Sequence, residues 1–432
     1  MAQSVLYSEA VWALRKAFRV LIPEPQDRHP IGSLEAVASH LLAFGLFLFM
    51  CYLARRPDTH LIRLLLLPAV IVAGLHACFG FYWSDPTLNC YNWGQCLYIE
   101  FTIGKSLEFA FAKEGRLKVG ETRPGEIEEP AKGSTYGHGT AEKSAPGIYP
   151  RWFSDAIEVM CTMRGLGWDF GQGVYVPPEK RSQERVPFLR ATLLTFLCHY
   201  LALDFLESVL KLFPGVGSPY GGTIFYSHLP PVQRYAVSTF IHVLTGTALI
   251  QGFGMVYDLM TLIGVGLFHN SPAVWPPILA NPWISDSMHI FWGKRWHQLL
   301  RQTFFVFGGH TGYWLGGHFG LVIMTFAASG FYHEASVYAL NRGFDWRVPV
   351  FFTLQGPLLI AERAWRVVTG RRVGGLFGRL WVYFCIVVLG QPMVDAWHMR
   401  GLAGAMIIPP SLSPTRRILW PLFGYAIERF NH

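Results

Sequence analysis

The chain has 432 residues, of which 51% are hydrophobic and 15% charged, with 36 Lys and Arg against 28 Asp and Glu for a net charge of +8. Its mean hydropathy is +0.28. Soluble domains carry charge on about a quarter of their residues, so the composition excludes an ordinary soluble fold and predicts an all-α, polytopic integral membrane protein with one polar insert. The basic residues sit at the ends of apolar segments and form no continuous face with stacking aromatics, which excludes nucleic acid and leaves membrane lipid as the partner for the charge.

Residues 1–39 read as an amphipathic N-terminal segment. Val5, Leu6, Val11, Leu14, Phe18 and Leu21 interleave with Arg15, Lys16 and Arg19, a spacing that suits a helix on a membrane surface or one packed on the bundle. The segment lacks the continuous apolar core of a signal peptide. Residues 40–112 hold the first transmembrane helices. His40 to Ala54, extended backwards by Leu34 to Ser39, is closed by the basic pair Arg55 and Arg56, and Leu61 to Trp83 ends in an interface girdle of Phe81, Tyr82 and Trp83. Trp93 to Ala112 contains Glu100, Lys105 and Glu108, which places it in the bundle interior.

Residues 113–187 form a hydrophilic insert rich in Gly, Pro, Lys and Glu. Its first part, to about Pro150, reads as a mobile loop, while the aromatics of Trp152 to Val176 predict a folded piece. Residues 188–432 form the remaining transmembrane core, with apolar runs at Phe188–Phe213, Tyr235–Phe268, Thr303–Leu340, Val348–Trp365, Leu380–Trp397 and Leu419–Ile427. At about 20 residues per crossing the two longest have room for more than one helix each, giving about eight crossings. Gly308, Gly309, Gly312, Gly316, Gly317 and Pro357 inside these runs predict broken or close-packed helices around a cavity. The cysteines form no CxxC pair, and Cys90 and Cys96 alone are placed to form a disulfide.

The chain has no GxSxG elbow, HExxH motif, P-loop or HxxxD histidine, which argues against a covalent serine enzyme or a metalloprotease. Two segments stand out. Phe291-Trp292-Gly293-Lys294-Arg295-Trp296-His297-Gln298, followed by Arg301, reads as a basic amphipathic helix with Gly293, His297 and Arg301 on one stripe. It is either an interfacial anchor or the place where Lys294, Arg295 and Arg301 hold the phosphates of an anionic carrier such as coenzyme A. The second, Ser329-Gly330-Phe331-Tyr332-His333-Glu334, puts a His-Glu pair inside an apolar run, where ionisable groups are either packing partners or functional. The other intramembrane His, Asp and Glu residues, among them His76, His199, His242, His310, His318, Asp204, Asp258 and Glu207, read as helix-helix hydrogen-bond partners.

Together these segments, with Arg164-Gly165-Leu166-Gly167-Trp168, resemble the wax synthase-like branch of the membrane-bound O-acyltransferase superfamily over about residues 150–400. In the wider superfamily the first motif ends in Asn, where His297 stands here, and the second supplies the catalytic histidine. The resemblance implies a helical bundle around an internal reaction chamber in the endoplasmic reticulum membrane. It also implies acyl transfer from acyl-CoA to a hydroxyl, with no metal and no cofactor beyond the co-substrate. On that reading His333 is the general base, with His297 a second catalytic candidate. Trp292, Lys294, Arg295, Trp296, Gln298, Arg301, Ser329 and Glu334 are then the candidates for binding substrate and coenzyme A, and His297, Gln298 or the Trp296 indole N–H the candidates for the oxyanion. Glu334 is expected beside the His333 ring. Fungal members of the branch point to acetyl transfer onto a terpenoid or related secondary metabolite. A long-chain wax-ester synthase and, from a different class, a membrane transporter stay as alternatives at this point.

Overall fold

The computed structural model describes residues 2–127 and 150–430. The expected mobile loop falls largely on 128–149, outside the described residues. Among the described residues the fold is mainly helical, with fourteen α-helices: α1 (Ala2–Leu21), α2 (Leu34–Ala54), α3 (His60–Phe79), α4 (Asn89–Phe111), α5 (Arg151–Cys161), α6 (Arg185–Leu210), α7 (Pro231–Gly266), α8 (Met288–Ile290), α9 (Arg301–Phe304), α10 (His310–Tyr338), α11 (Arg347–Thr369), α12 (Gly375–Tyr383), α13 (Gln391–Met399) and α14 (Trp420–Phe430). The strands are two-stranded fragments, of which β1 (His29–Pro30) runs parallel to β2 (Phe81–Tyr82), so two of the three expected girdle aromatics sit on a strand.

The first helices follow the hydropathy closely. Ser33 caps α2 by accepting from the Ala36 N–H at 3.1 Å, so the helix begins ahead of its apolar run and reaches 21 residues, about 30 Å at 1.5 Å per residue and enough to cross a bilayer. α4 is interior as its charges require, with Lys105 donating to the Val159 and Thr162 carbonyls at 2.8 and 2.7 Å. Those carbonyls close α5, so the folded part of the insert is bolted to the bundle through a buried ammonium. Arg55, 2% exposed, reinforces the joint by bridging Glu121 at 2.6 Å and Asp155 at 3.0 Å. Burial raises the Glu121 carboxyl, but the Arg55 guanidinium outweighs it and holds the group below the usual range.

The two longest runs behave differently. Tyr235–Phe268 is one continuous helix, the 36-residue α7, and does not divide as its length allowed. Thr303–Leu340 does divide. Gly316 and Gly317 leave helical geometry, Gly317 at φ +56°, and the chain folds back so that Gly308 lies against Met324 and Gly312 against Gly320. A Cβ on Gly312 would collide with the Gly320 carbonyl. We therefore expect Gly312→Val to cost at least about 1–3 kcal/mol, as overpacking does, read as a lower melting temperature in detergent. Among the described residues six stretches are long and apolar enough to cross a membrane by length and composition, with the folded-back 301–338 counted once: α2, α3, α6, α7, 301–338 and 375–399. α4 and α11 have the length, 23 residues each, but are less apolar. All seven cysteines are free, and the Cys90 thiol lies 3.2 Å from the Met406 carbonyl.

Four of the eight expected intramembrane partners, His199, Asp258, Asp204 and Glu207, do serve packing. His199 meets Asp258 at 3.1 Å between α6 and α7, Asp204 accepts from the Thr415 N–H at 2.7 Å, and Glu207 pairs with Arg416 at 2.7 Å. One apolar core gathers Ile241, Val337, Phe351, Phe352 and Trp397 from α7, α10, α11 and α13. It backs the end of α10 that carries His333.

Candidate active site

His333 is half-buried on α10. Its ring stacks on Phe352 at 4.3 Å between centroids and 18° between planes, and Phe304 lies 6.2 Å away. Nδ1 is 2.7 Å from the Ser329 carbonyl one helical turn earlier. A carbonyl only accepts, so Nδ1 carries the proton and Nε2 keeps its lone pair. The helix itself thus selects the tautomer that a general base needs. Ser329 takes part mainly through this carbonyl; its hydroxyl is 3.5 Å from the same nitrogen.

Glu334 does not stand beside that ring. It is 0% exposed, points to the other side of α10, and takes the two Arg400 guanidinium nitrogens at 2.6 and 2.8 Å and the Asp345 N–H at 2.7 Å. The expected His-Glu couple is therefore corrected to an Arg400–Glu334 pair, because consecutive helical residues point about 100° apart. Asp345, in the following loop, is held below the usual carboxylate range by hydrogen bonds from Arg347.

The segment from Phe291 also departs from expectation. It is no continuous helix: Phe291–Arg295 forms a π-turn, Trp296 is extended at φ −76°, ψ 151°, and α9 starts at Arg301. Gly293, His297 and Arg301 therefore share no stripe. Tertiary bonds override the helical pattern. The Glu362 carboxylate receives the Met288 and His289 N–H groups at 2.6 and 3.0 Å and the Trp381 indole N–H at 3.0 Å, which fixes the entry. Arg295 donates to the Ala280 carbonyl at 2.6 Å, which fixes the exit. Trp292, a candidate for binding substrate, turns inward: its indole donates to Gln355 at 3.3 Å and its ring meets Phe326 at 5.4 Å and Phe352 at 6.4 Å.

Trp292 and His333 thus flank the same Phe352 ring. His297 follows, between Phe253 at 4.8 Å and Trp296 at 5.2 Å, with Nδ1 buried and unpartnered among the described residues. On this loop between the spans, burial lowers the His297 imidazole to about 3, with proximity to His333 adding to the effect, so it is neutral. Gln298 spends its amide N–H groups on the Trp292 and Trp296 carbonyls at 2.7 and 3.1 Å, which removes it from the oxyanion candidates. Of the cations, Arg295 is committed to backbone, Arg301 lies over Phe305 at 4.5 Å, and exposed Lys294 lies 5.6 Å from the Tyr175 ring.

Arg164 of the insert is 7% exposed and donates to the Pro276 and Pro277 carbonyls at 2.7 and 2.8 Å, tying its loop to the approach of this segment. Glu362, Gln355, Phe352 and Arg400 carry no motif or spacing that marks them in the sequence as parts of this site. Glu362 alone had a usable signal, a lone acid in an apolar helix.

Residues 275–354 match the membrane bound O-acyl transferase family. The chain is 27% identical over 219 residues, 44% of its length and 46% of the relative's, to an O-mevalon transferase of Aspergillus niger. It is 24% identical over 241 residues, 49% of its length and 53% of the relative's, to an O-mevalon transferase of Penicillium terrestre. An acetyltransferase of Emericella nidulans is 25% identical over 275 residues, 59% of this chain and 61% of the relative. The chain thus aligns with about half the length of the curated relatives it matches.

Proposed function

We propose that this chain, which resembles the membrane-bound O-acyltransferases in its site segments, is an acyl-CoA-dependent O-acyltransferase of a multi-pass membrane protein, with His333 as its general base. The observation that carries the reading is the Nδ1 contact to Ser329, which leaves Nε2 as an unprotonated base on a ring that packs against Phe304 and Phe352. Nε2 takes the proton of an acceptor hydroxyl while its oxygen attacks the thioester carbonyl. The tetrahedral oxyanion collapses and expels the thiolate of coenzyme A, and the imidazolium returns the proton to the sulfur. A thioester is activated enough that no acyl-enzyme is needed. His297 and the Trp296 indole N–H are the oxyanion donors, each holding a neutral dipole in a water-poor site.

The donor is acetyl-CoA and the acceptor a hydroxyl of a terpenoid or related secondary metabolite. Phe304 and Phe352 lie against the base, with Trp292 packed behind Phe352 and Phe326 against Trp292, which favours a short acyl group over the long chain of a wax-ester synthase. Names of relatives divide between acetyl and mevalon transfer, so mevalonyl-CoA belongs in the donor panel. The endoplasmic reticulum is the proposed membrane, with Lys294 on the cytosolic side where coenzyme A is found. The division into a segment 1–39, helices 40–112, insert 113–187 and core 188–432 is kept as the working domain scheme.

Lys294 is the exposed cation of the site and Arg301 the half-buried one, and both are proposed to meet coenzyme A phosphates. Lys294→Ala is expected to raise KM for the donor about fivefold, roughly 1 kcal/mol for an exposed charge pair, and to leave kcat unchanged. Initial-rate kinetics at two salt concentrations check this, since the wild-type KM should rise with salt more steeply than the variant's.

A further inference from the structure

The far end of α11 and the start of α12 form a hairpin that leaves the bundle. Glu362 is the last buried residue of α11, and every residue from Arg363 to Arg372 is exposed. Gly370 ends the helix at φ +68°, a left-handed cap that suits glycine. The base of the hairpin is tied to the segment that leads to Lys294. Glu362 holds the Met288 and His289 N–H groups, and Asp286 accepts from the Gly375 N–H at 3.3 Å.

Residues 363–380 carry five arginines, Arg363, Arg366, Arg371, Arg372 and Arg379, and no Asp or Glu. All five are exposed, and none of their guanidinium groups has a hydrogen bond, ion pair or ring contact among the described residues. Arginines inside the bundle differ: Arg55 and Arg400 are each paired with an acid. Large apolar side chains stand out between the five cations, with Val367, Val368 and Phe377 79%, 84% and 85% exposed and Trp365 and Leu376 exposed beside them. At about 100° per residue, Arg363 and Arg366 share one side of the last turns of α11, and Ala364, Trp365 and Val368 the other.

Water would leave this apolar surface uncovered, and hydrocarbon would strand five charges. The boundary between headgroups and acyl chains accepts both, as it does for basic amphipathic helices. Coenzyme A offers phosphates but no hydrocarbon to cover Trp365, Val368 or Phe377. We propose that the hairpin is a docking surface for anionic phospholipid, its arginines pairing with headgroup phosphates that no choline neutralises and its apolar residues entering the acyl boundary. Its base adjoins the segment that leads to Lys294, so the orientation proposed above sets it against the cytosolic leaflet, which carries the anionic lipid. The inference rests on the charge and exposure of the hairpin, not on any transfer reaction.

The test is photolabelling of the full chain in phosphatidylcholine nanodiscs containing a trace of diazirine-bearing phosphatidylserine or of phosphatidylcholine with the same chains, with labelled peptides read by mass spectrometry. The serine lipid should label residues 361–383 about fivefold more than the choline lipid, the fold-change of one exposed charge pair, and the preference should shrink as salt is raised. The triple variant Arg366→Gln, Arg371→Gln and Arg372→Gln removes no partnered group, so it should fold, keep its choline-lipid labelling and lose the preference. Free coenzyme A should displace neither probe. Equal labelling by both lipids in the wild type, a preference that survives in the triple variant, or displacement by coenzyme A, which would give the arginines to the donor, overturns the inference. The readout needs no turnover, so its failure is separable from failure of the transferase reading.

Discussion

His333→Ala is expected to yield folded protein whose turnover falls by about 10² to 10⁴-fold, the range for removal of a general base, with donor KM changed little. The fold should survive because the His333 side chain contributes a single ring stacked on Phe352 and one bond to its own helix. Neither joins two elements by charge. His333→Gln is the sharper control. Its amide can keep a hydrogen bond in the same space but cannot accept a proton, so it should fall as far as alanine. A glutamine variant with near wild-type turnover would make His333 a packing residue. Turnover is measured as thiol release from acetyl-CoA that depends on added acceptor, at equal protein content.

The second large effect concerns the other half of the same motif. Arg400→Ala should destabilise the protein by about 3–5 kcal/mol, because it leaves the Glu334 carboxylate buried without its counter-charge. Glu334 is 0% and Arg400 5% exposed, so solvent screens neither. The pair joins α10 to the residue that follows α13, and its loss should let the end of α10 turn. The double variant Glu334→Leu with Arg400→Met removes both charges at similar volume and should recover most of the stability, as such replacements often do. Thermal melts in detergent give this comparison, and kinetics on the recovered variant separate two roles. A stable double variant with wild-type donor KM makes Glu334 a positioning residue. A stable one with KM raised tenfold or more returns it to the binding set.

The legible part of the fold was the part that hydropathy and capping determine locally. α2, α3 and α6 lie where an 18-residue stretch is apolar on average, and Ser33 and Arg55 mark the ends of α2. The hairpin within 301–338 was half legible: the glycines were visible, but their pairing depends on Gly312 meeting Gly320, a contact that no periodicity encodes. The segment at Phe291 misled because its residues do carry helical spacing. Glu362, 74 residues away from Met288, decides the backbone there, and sequence pattern is blind to such bonds.

At the site, His333 was legible because a histidine in an apolar run is costly unless it has work to do. Its tautomer follows from helix geometry and needed the structure to be seen. The partner of Glu334 was not legible, since Arg400 lies 66 residues on in a stretch where several arginines could have served. The setting of Trp292 was only half legible for a related reason: tryptophan suits both an interface and an aromatic pocket, and Gln355 and Phe326 distinguish them.

The central claim is that this chain moves an acyl group from coenzyme A to a hydroxyl. Its most direct test is to give microsomes bearing the wild-type chain, His333→Ala or no added protein a panel of acetyl-, mevalonyl- and palmitoyl-CoA with mixed terpenoid and long-chain alcohols, and to follow ester by mass spectrometry. The account predicts ester and free coenzyme A in equal amounts from the wild type, with acetyl-CoA the preferred donor, and background ester from His333→Ala. Ester at the background level from the wild type with every donor, at verified expression, would contradict it.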